Sequence, residues 1–261
     1  MTGETATDRV VWRVTGADRF TFLQGLVSND VLPLAKAPGI RWAALLTPQG
    51  KYLADFFVIR RADSDDLLID IAAPLAADTL KRLGLYRLRA DVQITPCDLP
   101  VTRGLGPCPA QGFDDPRHPA LGWRGYGLAP DVAGGPPLID WDAIRVAHAI
   151  PESGIELVPN DTYLLEAGFE RLHGVDFRKG CYVGQEVTAR MKHKTELRKG
   201  LITLGIAGSA PPGTVIAADG KDAGVLFTQS NGLALAHLRF DRLAAPLTAG
   251  DARLWALPEA Q

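Results

Sequence analysis

The C-terminal quarter of the chain shows a pattern that few folds accommodate. Short strand-like runs follow one another there, separated by Pro-Pro-Gly, Asp-Gly and Asn-Gly. The runs lie at 201–204, 214–217, 223–229, 233–237 and 252–257. Asp219-Gly220 and Asn231-Gly232 are strong signals for two-residue hairpin turns, because both positions of such a turn need positive φ. Short strands joined by tight turns predict a small β-barrel over residues 199–261.

Residues 1–198 have a different pattern, in which strands and helices alternate. Strands are predicted at 10–14, 39–46, 53–60, 67–72 and 85–94, and helices at 74–83, 141–149 and 164–172 with a further one after Asp18. Pro74 suits the first turn of a helix, and Gly84 is expected to end that helix. The change of period predicts a boundary near residue 198, with an α+β region before it and the barrel after it.

Composition restricts the class of protein. Apolar residues make up 46% and charged residues 22% of the chain, and the net charge is −2. This is an ordinary globular composition without the basic excess typical of nucleic-acid binding. The three cysteines form no Cys-x-x-Cys pair, which argues against a disulfide framework and against a metal site. A secretory signal and a run of 18 apolar residues are both missing, so we expect a cytoplasmic protein without membrane contact.

The segment whose side chains are best suited to catalysis or binding is residues 178–186, Arg-Lys-Gly-Cys-Tyr-Val-Gly-Gln-Glu. Its two glycines permit backbone angles and close approaches that other residues resist. A helix is predicted to begin near Gln185. The helix start and the two preceding cations favour the thiolate form of Cys181, whereas Glu186 opposes it. The alternative is that Cys181 is a small buried apolar residue in a tight loop.

This segment also resembles a known family. The string Lys-Gly-Cys-Tyr-x-Gly-Gln-Glu, followed by Ala189-Arg190, is similar to the signature of the YgfZ family. That family is related in fold to the glycine-cleavage T-protein, a tetrahydrofolate-dependent aminomethyltransferase. Further segments fit the family in the expected order, at 14–18, 22–31, 46–51, 86–92 and 150–152. The resemblance is close over about residues 10–200 and loose over the remainder.

The resemblance implies both a fold and a function. The fold would be a multi-lobed, T-protein-like α/β region that binds folate, followed by a small C-terminal β-barrel. The function would be that of a tetrahydrofolate-binding accessory protein that supports assembly or repair of iron–sulfur clusters. Its partners would be client enzymes or assembly proteins, with an indirect effect on tRNA modification because some tRNA-modifying enzymes carry such clusters. No direct contact with nucleic acid is expected.

The resemblance also assigns candidate site residues. Cys181 and Lys179 are the expected catalytic or docking groups, with Lys179 in an exposed loop. The expected folate-binding residues are Trp141, Asp55, Asn29, Glu166, Tyr182, Gln185, Glu186 and Arg190. The flat face of Trp141 would stack on the pterin. Where the family often has a pterin-binding glutamate this chain has Ala147, so His148 or Glu166 would replace it.

Several of these residues also have simpler interpretations. A single carboxylate on a strand, such as Asp55 or Asp70, usually faces solvent. The family's T-protein relatives have Asp-Asp where this chain has Ala54-Asp55. A basic run follows the motif at Arg190, Lys192, His193, Lys194, Arg198 and Lys199. It is either a solvated helix face or a docking point for a folate polyglutamate tail or an acidic partner.

Two other functions remain open from the sequence. One is a folate-dependent one-carbon (aminomethyl) transferase that uses Asp55 as its carboxylate. The other is an enzyme with Cys181 as nucleophile and His173 or His193 as base, which requires one histidine within hydrogen-bond reach of the thiol.

Overall fold

The computed structural model describes residues 2–128, 139–194 and 196–258. The chain forms two compact units. Unit 1 comprises Met1–Ile139 and Glu170–Val187, and unit 2 comprises Asp140–Phe169 and Thr188–Gln261. The barrel strands begin at Lys199, next to the predicted boundary, but the compact unit that contains them also includes segments from before residue 198.

Unit 1 contains two antiparallel sheets. Its strands are β1 (Thr2–Thr5), β2 (Arg9–Thr15), β3 (Gly39–Leu46), β4 (Tyr52–Arg60), β5 (Leu67–Ala72), β6 (Gln93–Cys97), β7 (Val101–Leu105), β8 (Phe113–Asp114) and β9 (Trp123–Tyr126). One sheet has the order β3-β4-β5-β2-β6 and the other has the order β1-β7-β9-β8. The strands predicted at 10–14, 39–46, 53–60 and 67–72 correspond to β2 through β5 and are confirmed.

The larger sheet forms the core of unit 1. Every residue of β5 is buried, and so are most residues of β3 and β4. Continuous apolar runs of this kind are typical of strands covered on both faces. Helix α1 (Arg19–Gln24) contributes Phe22 and Leu23 to this core, and helix α2 (Ala73–Arg87) contributes Leu83.

Two predictions around α2 are wrong. The helix does not end at Gly84 but continues to Arg87, and the strand predicted from Leu85 is limited to β6. A helical glycine lowers stability by about 1 kcal/mol relative to alanine without ending the helix. The extra helical turn leaves Leu85 exposed rather than buried in a sheet.

Unit 2 contains the predicted barrel. Its strands are β10 (Lys199–Ala207), β11 (Val215–Ala218), β12 (Lys221–Ser230), β13 (Leu233–Arg239), β14 (Leu247–Ala249) and β15 (Ala252–Ala256). They close in the order β10-β13-β12-β11-β14-β15, and β10 pairs with β15 to complete the ring. Both predicted hairpins are present, with φ of 50° and 73° at Asp219-Gly220 and 52° and 74° at Asn231-Gly232. Strand β14 is too short to give a sequence pattern and escaped prediction.

Helix α3 (Trp141–Ala147) follows the prediction, and the Asp140 side chain caps it by accepting a hydrogen bond from the Ala143 amide at 2.9 Å. Helix α4 (Gln185–Lys194) begins where the sequence predicts. The helix predicted over 164–172 is wrong, because this segment forms turns. Gly168 has a φ of 79°, which takes the chain out of the helical region.

No helix among the described residues has the length and hydropathy needed to cross a membrane.

Candidate functional site

The motif loop begins at an Asx turn. Asp176 Oδ1 accepts hydrogen bonds from the backbone amides of Arg178 at 2.7 Å and Lys179 at 3.2 Å. The Asp176 amide donates to the Ser28 carbonyl at 3.1 Å, and Ser28 Oγ donates to the Gly174 carbonyl at 2.6 Å. The start of this turn is therefore fixed to Ser28, in the segment that follows α1.

The side chain of Lys179 joins the loop to the end of α1. Its side chain is buried, and its Nζ donates to the carbonyl oxygen of Gln24 at 2.7 Å and to that of Val27. The same ammonium lies 4.7 Å from the centroid of the buried Tyr182 ring. The expectation of an exposed Lys179 is therefore wrong. The orphan carbonyls at a helix C-terminus attract a cation, which is the physical reason for its position.

Burial changes the acid–base properties of this lysine. Desolvation lowers the pKa of Lys179 to about 8, although the nearby carboxylates Asp30 and Asp176 act in the opposite direction. The side chain nevertheless uses two of its three possible donor positions on main-chain oxygens. These hydrogen bonds indicate that Lys179 stabilises the loop rather than contacts a ligand.

Two glycines hold the loop against the turn between β3 and β4. Gly184 has a φ of 83°, and a Cβ placed on it would lie 2.5 Å from the Thr47 carbonyl oxygen. Gly50 has a φ of 75°, and a Cβ there would lie 2.8 Å from Val187 Cβ. The backbones thus approach more closely than any side chain would permit. This contact explains why the motif and the segment at 46–51 both need glycine.

Cys181 lies on the surface of this fastened loop. Its side chain is exposed, so the alternative of a small buried residue is wrong. Cys97 and Cys108 are half-buried. Burial raises the pKa of the Cys108 thiol, and the Asp114 carboxylate raises it further. Cys181 is thus the most accessible of the three thiols.

The other motif residues begin α4. Gln185 is half-buried at its first position, and Glu186 is exposed in its first turn, where a carboxylate is favoured by the helix dipole. Arg190 is exposed on the same helix, as are Lys192 and His193. The side chain of Lys194 lies outside the described residues.

Asn29 supports the loop rather than presenting a free amide. Its Nδ2 donates to the carbonyl oxygens of Trp42 at 2.8 Å and His173 at 2.7 Å. Its Oδ1 accepts from the Asp30 amide at 2.9 Å. Both amide hydrogens are engaged within unit 1, so the side chain does not fit the role of a folate ligand.

Asp55 is also engaged within unit 1. The solvent-facing interpretation is wrong, because the side chain is buried. Trp42 Nε1 donates to Asp55 Oδ2 at 2.8 Å, and the Tyr52 hydroxyl donates to Oδ1 at 2.6 Å. A buried carboxylate that accepts at both oxygens fits a structural role better than that of a general base.

A buried ionic cluster in unit 1 was missed by the sequence reasoning. Asp70 is fully buried and accepts from Arg9 Nε at 2.6 Å, Arg124 at 2.7 Å and the Tyr126 hydroxyl at 2.9 Å. Desolvation would raise the pKa of Asp70, but the charges of Arg9 and Arg124 outweigh it and lower the pKa to about 2. The available signal was an aspartate inside the apolar run at 67–72, because a carboxylate buried there needs a cation or hydrogen-bond donors beside it.

Unit 2 contains Trp141, which is half-buried at the start of α3. Arg145 of this helix donates to Glu156 Oε2 at 3.0 Å, and Thr228 Oγ1 of β12 donates to Glu156 Oε1 at 2.5 Å. All three are buried, and together they fasten α3 to the barrel. His148, at the C-terminal end of α3, is half-buried.

Glu166 lies in a cavity of about 610 Å³ in unit 2. Its Oε2 is 3.1 Å from His237 Nε2 and 3.5 Å from Lys199 Nζ. Its carboxylate is therefore paired with the Lys199 ammonium and lies within hydrogen-bond distance of the His237 imidazole, and its use as a pterin ligand stays a prediction.

The predicted residues are thus divided between the units. Unit 1 contains Cys181, Lys179, Tyr182, Asn29 and Asp55, together with Gln185 and Glu186 at the start of α4. Unit 2 contains Trp141, Glu166 and Arg190. The structure brings Lys179 and Tyr182 together at the end of α1, and Asn29 lies five residues further along the chain, bonded to Trp42 and His173. Among the described residues, no group of three or more His, Cys, Asp or Glu side chains is arranged to hold a metal ion.

Comparison with known structures identifies the fold. Aminomethyltransferase T of the glycine cleavage system from Bartonella henselae superposes with a TM-score of 0.77, covering 98% of this chain and 85% of that one. The sequences are 15% identical, so this likeness concerns the fold alone. Residues 198–260 match the family model described as the CAF17 C-terminal β-barrel domain. The predicted T-protein-like fold with a C-terminal barrel is confirmed.

Comparison with known sequences identifies relatives named iron–sulfur cluster assembly factor IBA57. The mouse protein is 30% identical over 92% of this chain and 78% of its own length, and the human protein is 29% identical with the same coverage. The Mycosarcoma maydis homologue is 33% identical over 79% of this chain, which spans only 58% of that relative. These names differ from YgfZ but agree with the predicted association with iron–sulfur cluster assembly factors.

The same relatives correct one prediction. Each is named as a mitochondrial protein, which contradicts the cytoplasmic location expected from the sequence. Absence of a recognisable signal was the basis of that expectation, and it carries little information about other targeting routes. Sequence identity, coverage and the barrel match together show that the chain belongs to the IBA57 family of iron–sulfur cluster assembly factors.

Proposed function

We propose that this protein binds reduced folate and supports the assembly or repair of iron–sulfur clusters in client enzymes. The observation that carries the proposal is the exposed thiol of Cys181 on a loop that Lys179 and two glycines hold in place, in a chain of the IBA57 family. Client enzymes or other assembly proteins are its partners. An effect on tRNA modification follows indirectly, through tRNA-modifying enzymes that carry clusters.

The chemistry of Cys181 favours transient contact with a partner. Clusters are held by thiolates, and four ligands are usual. One exposed cysteine supplies one ligand, so a cluster that reaches Cys181 would share its other ligands with the client or the assembly protein. Lys179 acts in this scheme by positioning the loop.

Complementation tests this role. Cys181→Ser should leave the melting temperature within a few degrees of the parent, because an exposed substitution typically changes stability by about 0.5 kcal/mol or less. The variant should nevertheless fail to restore iron–sulfur enzyme activity in cells that lack the protein. Cys97→Ser is the matched control and should restore it. Full restoration by Cys181→Ser would rule out the proposed role of the thiol.

Folate binding is proposed with Trp141 as the stacking residue, and Asn29 and Asp55 are left out because their polar atoms are engaged. In a titration with tetrahydrofolate, Trp141→Ala should weaken binding by roughly 1–3 kcal/mol, the scale of one stacked ring. Trp255→Ala, at an exposed barrel position, should leave affinity unchanged. Absence of binding by the parent protein would remove folate from the proposal without affecting the role of Cys181.

The two rival functions have less support. Aminomethyl transfer would rely on Asp55, whose carboxylate already accepts from Trp42 and Tyr52. A nucleophilic role for Cys181 needs the imidazole of His173 or His193 within hydrogen-bond reach of the thiol. A hydrogen bond of the Cys181 thiol with His173 or with His193 stays a prediction.

A further inference from the structure

The C-terminal end of α2 presents consecutive apolar side chains to solvent. We define the α2 tip as residues 81–89, Lys-Arg-Leu-Gly-Leu-Tyr-Arg-Leu-Arg. Leu85 is 69% exposed, Tyr86 is 41% exposed and Leu88 is 88% exposed. Single exposed apolar residues are ordinary, but a contiguous exposed group surrounded by charge is typical of an interaction surface.

The charge of the α2 tip has one sign. Lys81, Arg82, Arg87 and Arg89 are all exposed. Within the described residues, none of these four side chains has a hydrogen-bond or ion-pair partner. The whole chain carries a net charge of −2, so this is a local concentration of positive charge on a mildly acidic protein. It complements an acidic surface.

The backbone of Leu88 supports an external role for its side chain. Leu88 follows the last helical residue and has φ of 40° and ψ of −104°, a conformation that residues other than glycine rarely adopt. Such strain is normally offset by favourable packing. Here the strained residue holds a leucine almost entirely in solvent, so packing within unit 1 does not compensate for it.

We propose that the α2 tip is a docking surface for an acidic partner protein. Carboxylates of the partner would pair with the arginines around an apolar pocket that receives Leu85 and Leu88. The inference rests on residues other than those of the motif loop and stands apart from the proposed role of Cys181.

The side-chain chemistry favours a protein over other polyanions. Three of the four cations are arginine, whose planar fork matches carboxylates, and arginine and tyrosine often anchor protein interfaces. Leucines gain little against phosphates, and Tyr86 alone offers stacking for a single base. The opposite face of α2 is packed in the core through Ala76, Thr79 and Leu83, so the helix cannot bury that apolar face in a membrane, and the large apolar side chains it leaves exposed are only Leu85, Tyr86 and Leu88.

Site-specific photocrosslinking of the full chain in cells tests the proposal. A benzoylphenylalanine at position 88 should capture one acidic protein, identified by mass spectrometry, that is not captured from position 215. Val215 is the control because it is 52% exposed on the barrel and no Lys or Arg lies within four residues of it in the sequence. The captured protein is then purified and titrated with the parent chain.

In that titration the Leu85→Ser/Leu88→Ser and Arg87→Glu/Arg89→Glu variants should each weaken binding at least tenfold, and added salt should weaken the parent complex. Circular dichroism and melting temperature of the variants should match the parent, since the altered side chains are exposed. The proposal is overturned by identical capture at positions 88 and 215, or by unchanged affinity of both variants. Adducts with lipid or RNA instead of protein, or self-association that the leucine variants abolish, would overturn it as well.

Discussion

At the scale of single residues, Lys179 carries an ammonium group into the interior of unit 1. Its partners are main-chain oxygens of Gln24 and Val27 rather than carboxylates. Hydrogen bonds that involve a charged donor contribute about 1.5–3 kcal/mol each, and a buried acceptor left without a donor is destabilising. Removal of this side chain therefore affects the segment after α1 as well as the loop itself.

Lys179→Ala should lower the free energy of unfolding by about 2–4 kcal/mol, because it removes the charged donor to the part-buried Gln24 carbonyl and to the buried Val27 carbonyl and creates a cavity. Urea denaturation measures the change. Arg178→Ala is the matched control: its side chain is exposed, and its effect should stay within about 0.5 kcal/mol. Equal effects of the two substitutions would show that the buried hydrogen bonds contribute nothing.

The three thiols should differ in reactivity. We expect iodoacetamide to alkylate Cys181 first near neutral pH, because it is exposed, and Cys108 later, because burial and Asp114 raise its pKa. Peptide mass mapping over time gives the order. Faster alkylation of Cys108 than of Cys181 in the folded protein would contradict the assignment of the accessible thiol.

The sequence was sufficient to single out Cys181 but not to place Lys179. A cation beside a cysteine between glycines suggests a surface group, and nothing nearby in the sequence indicates burial. The acceptors of Lys179 lie far away in the chain, at the end of α1, so only the tertiary fold reveals them. Asn29 illustrates the same limit, since its partners at Trp42 and His173 are also distant.

At the scale of elements, the motif loop and the turn between β3 and β4 depend on each other. Gly184 lies against Thr47, and Gly50 lies against Val187. Neither contact leaves room for a methyl group. The position of the loop is therefore determined by backbone contact, which is stiffer than contact through long side chains.

Gly184→Ala should destabilise the protein by about 2–5 kcal/mol, from the positive φ and from the clash with the Thr47 carbonyl. Gly180→Ala in the same loop is the control, since a methyl group at that position would have no atom within 4 Å and the φ of Gly180 is not positive. Thermal unfolding compares the two. A Gly180→Ala loss as large as that of Gly184→Ala would refute the backbone contact as the cause.

Elements whose ends are marked by turn residues in the local sequence were predicted well, and elements without such residues were predicted poorly. The barrel hairpins follow from Asp219-Gly220 and Asn231-Gly232, because the turn chemistry lies within two residues. The end of α2 was misjudged because Gly84 is permissive in either conformation, and the segment at 164–172 because Gly168 interrupts an otherwise helical pattern. In each case the decision depended on packing that the local sequence does not encode.

At the scale of the whole molecule, acid resistance should depend on the cluster around Asp70. The folded-state pKa of Asp70, about 2, lies below the ordinary value of 3.8. The cluster therefore contributes its full stabilisation above a pH of about 3.8 and loses it as the pH falls toward 2. A shift of this size corresponds to roughly 2 kcal/mol at neutral pH.

Tyr126→Phe removes one donor to Asp70 and should lower the free energy of unfolding by about 1–2 kcal/mol near neutral pH. The difference from the parent should narrow between the ordinary pKa of 3.8 and about 2, as Asp70 becomes protonated. Denaturant titrations over this pH range measure it. Asp241→Asn, at an exposed ion pair, should leave the acid limb unchanged, and a constant Tyr126→Phe difference would contradict the role of Asp70.

The discontinuity of unit 1 has a consequence for its synthesis. Residues 170–187 complete this unit, and they supply the donors for the carbonyl oxygens of Gln24 and Val27. A ribosome that adds about 5–20 residues per second needs roughly 2–10 s to pass from residue 139 to residue 187. During that interval the nascent N-terminal segment is on the ribosome with its last partners unmade, which makes it a natural client for a chaperone acting during translation.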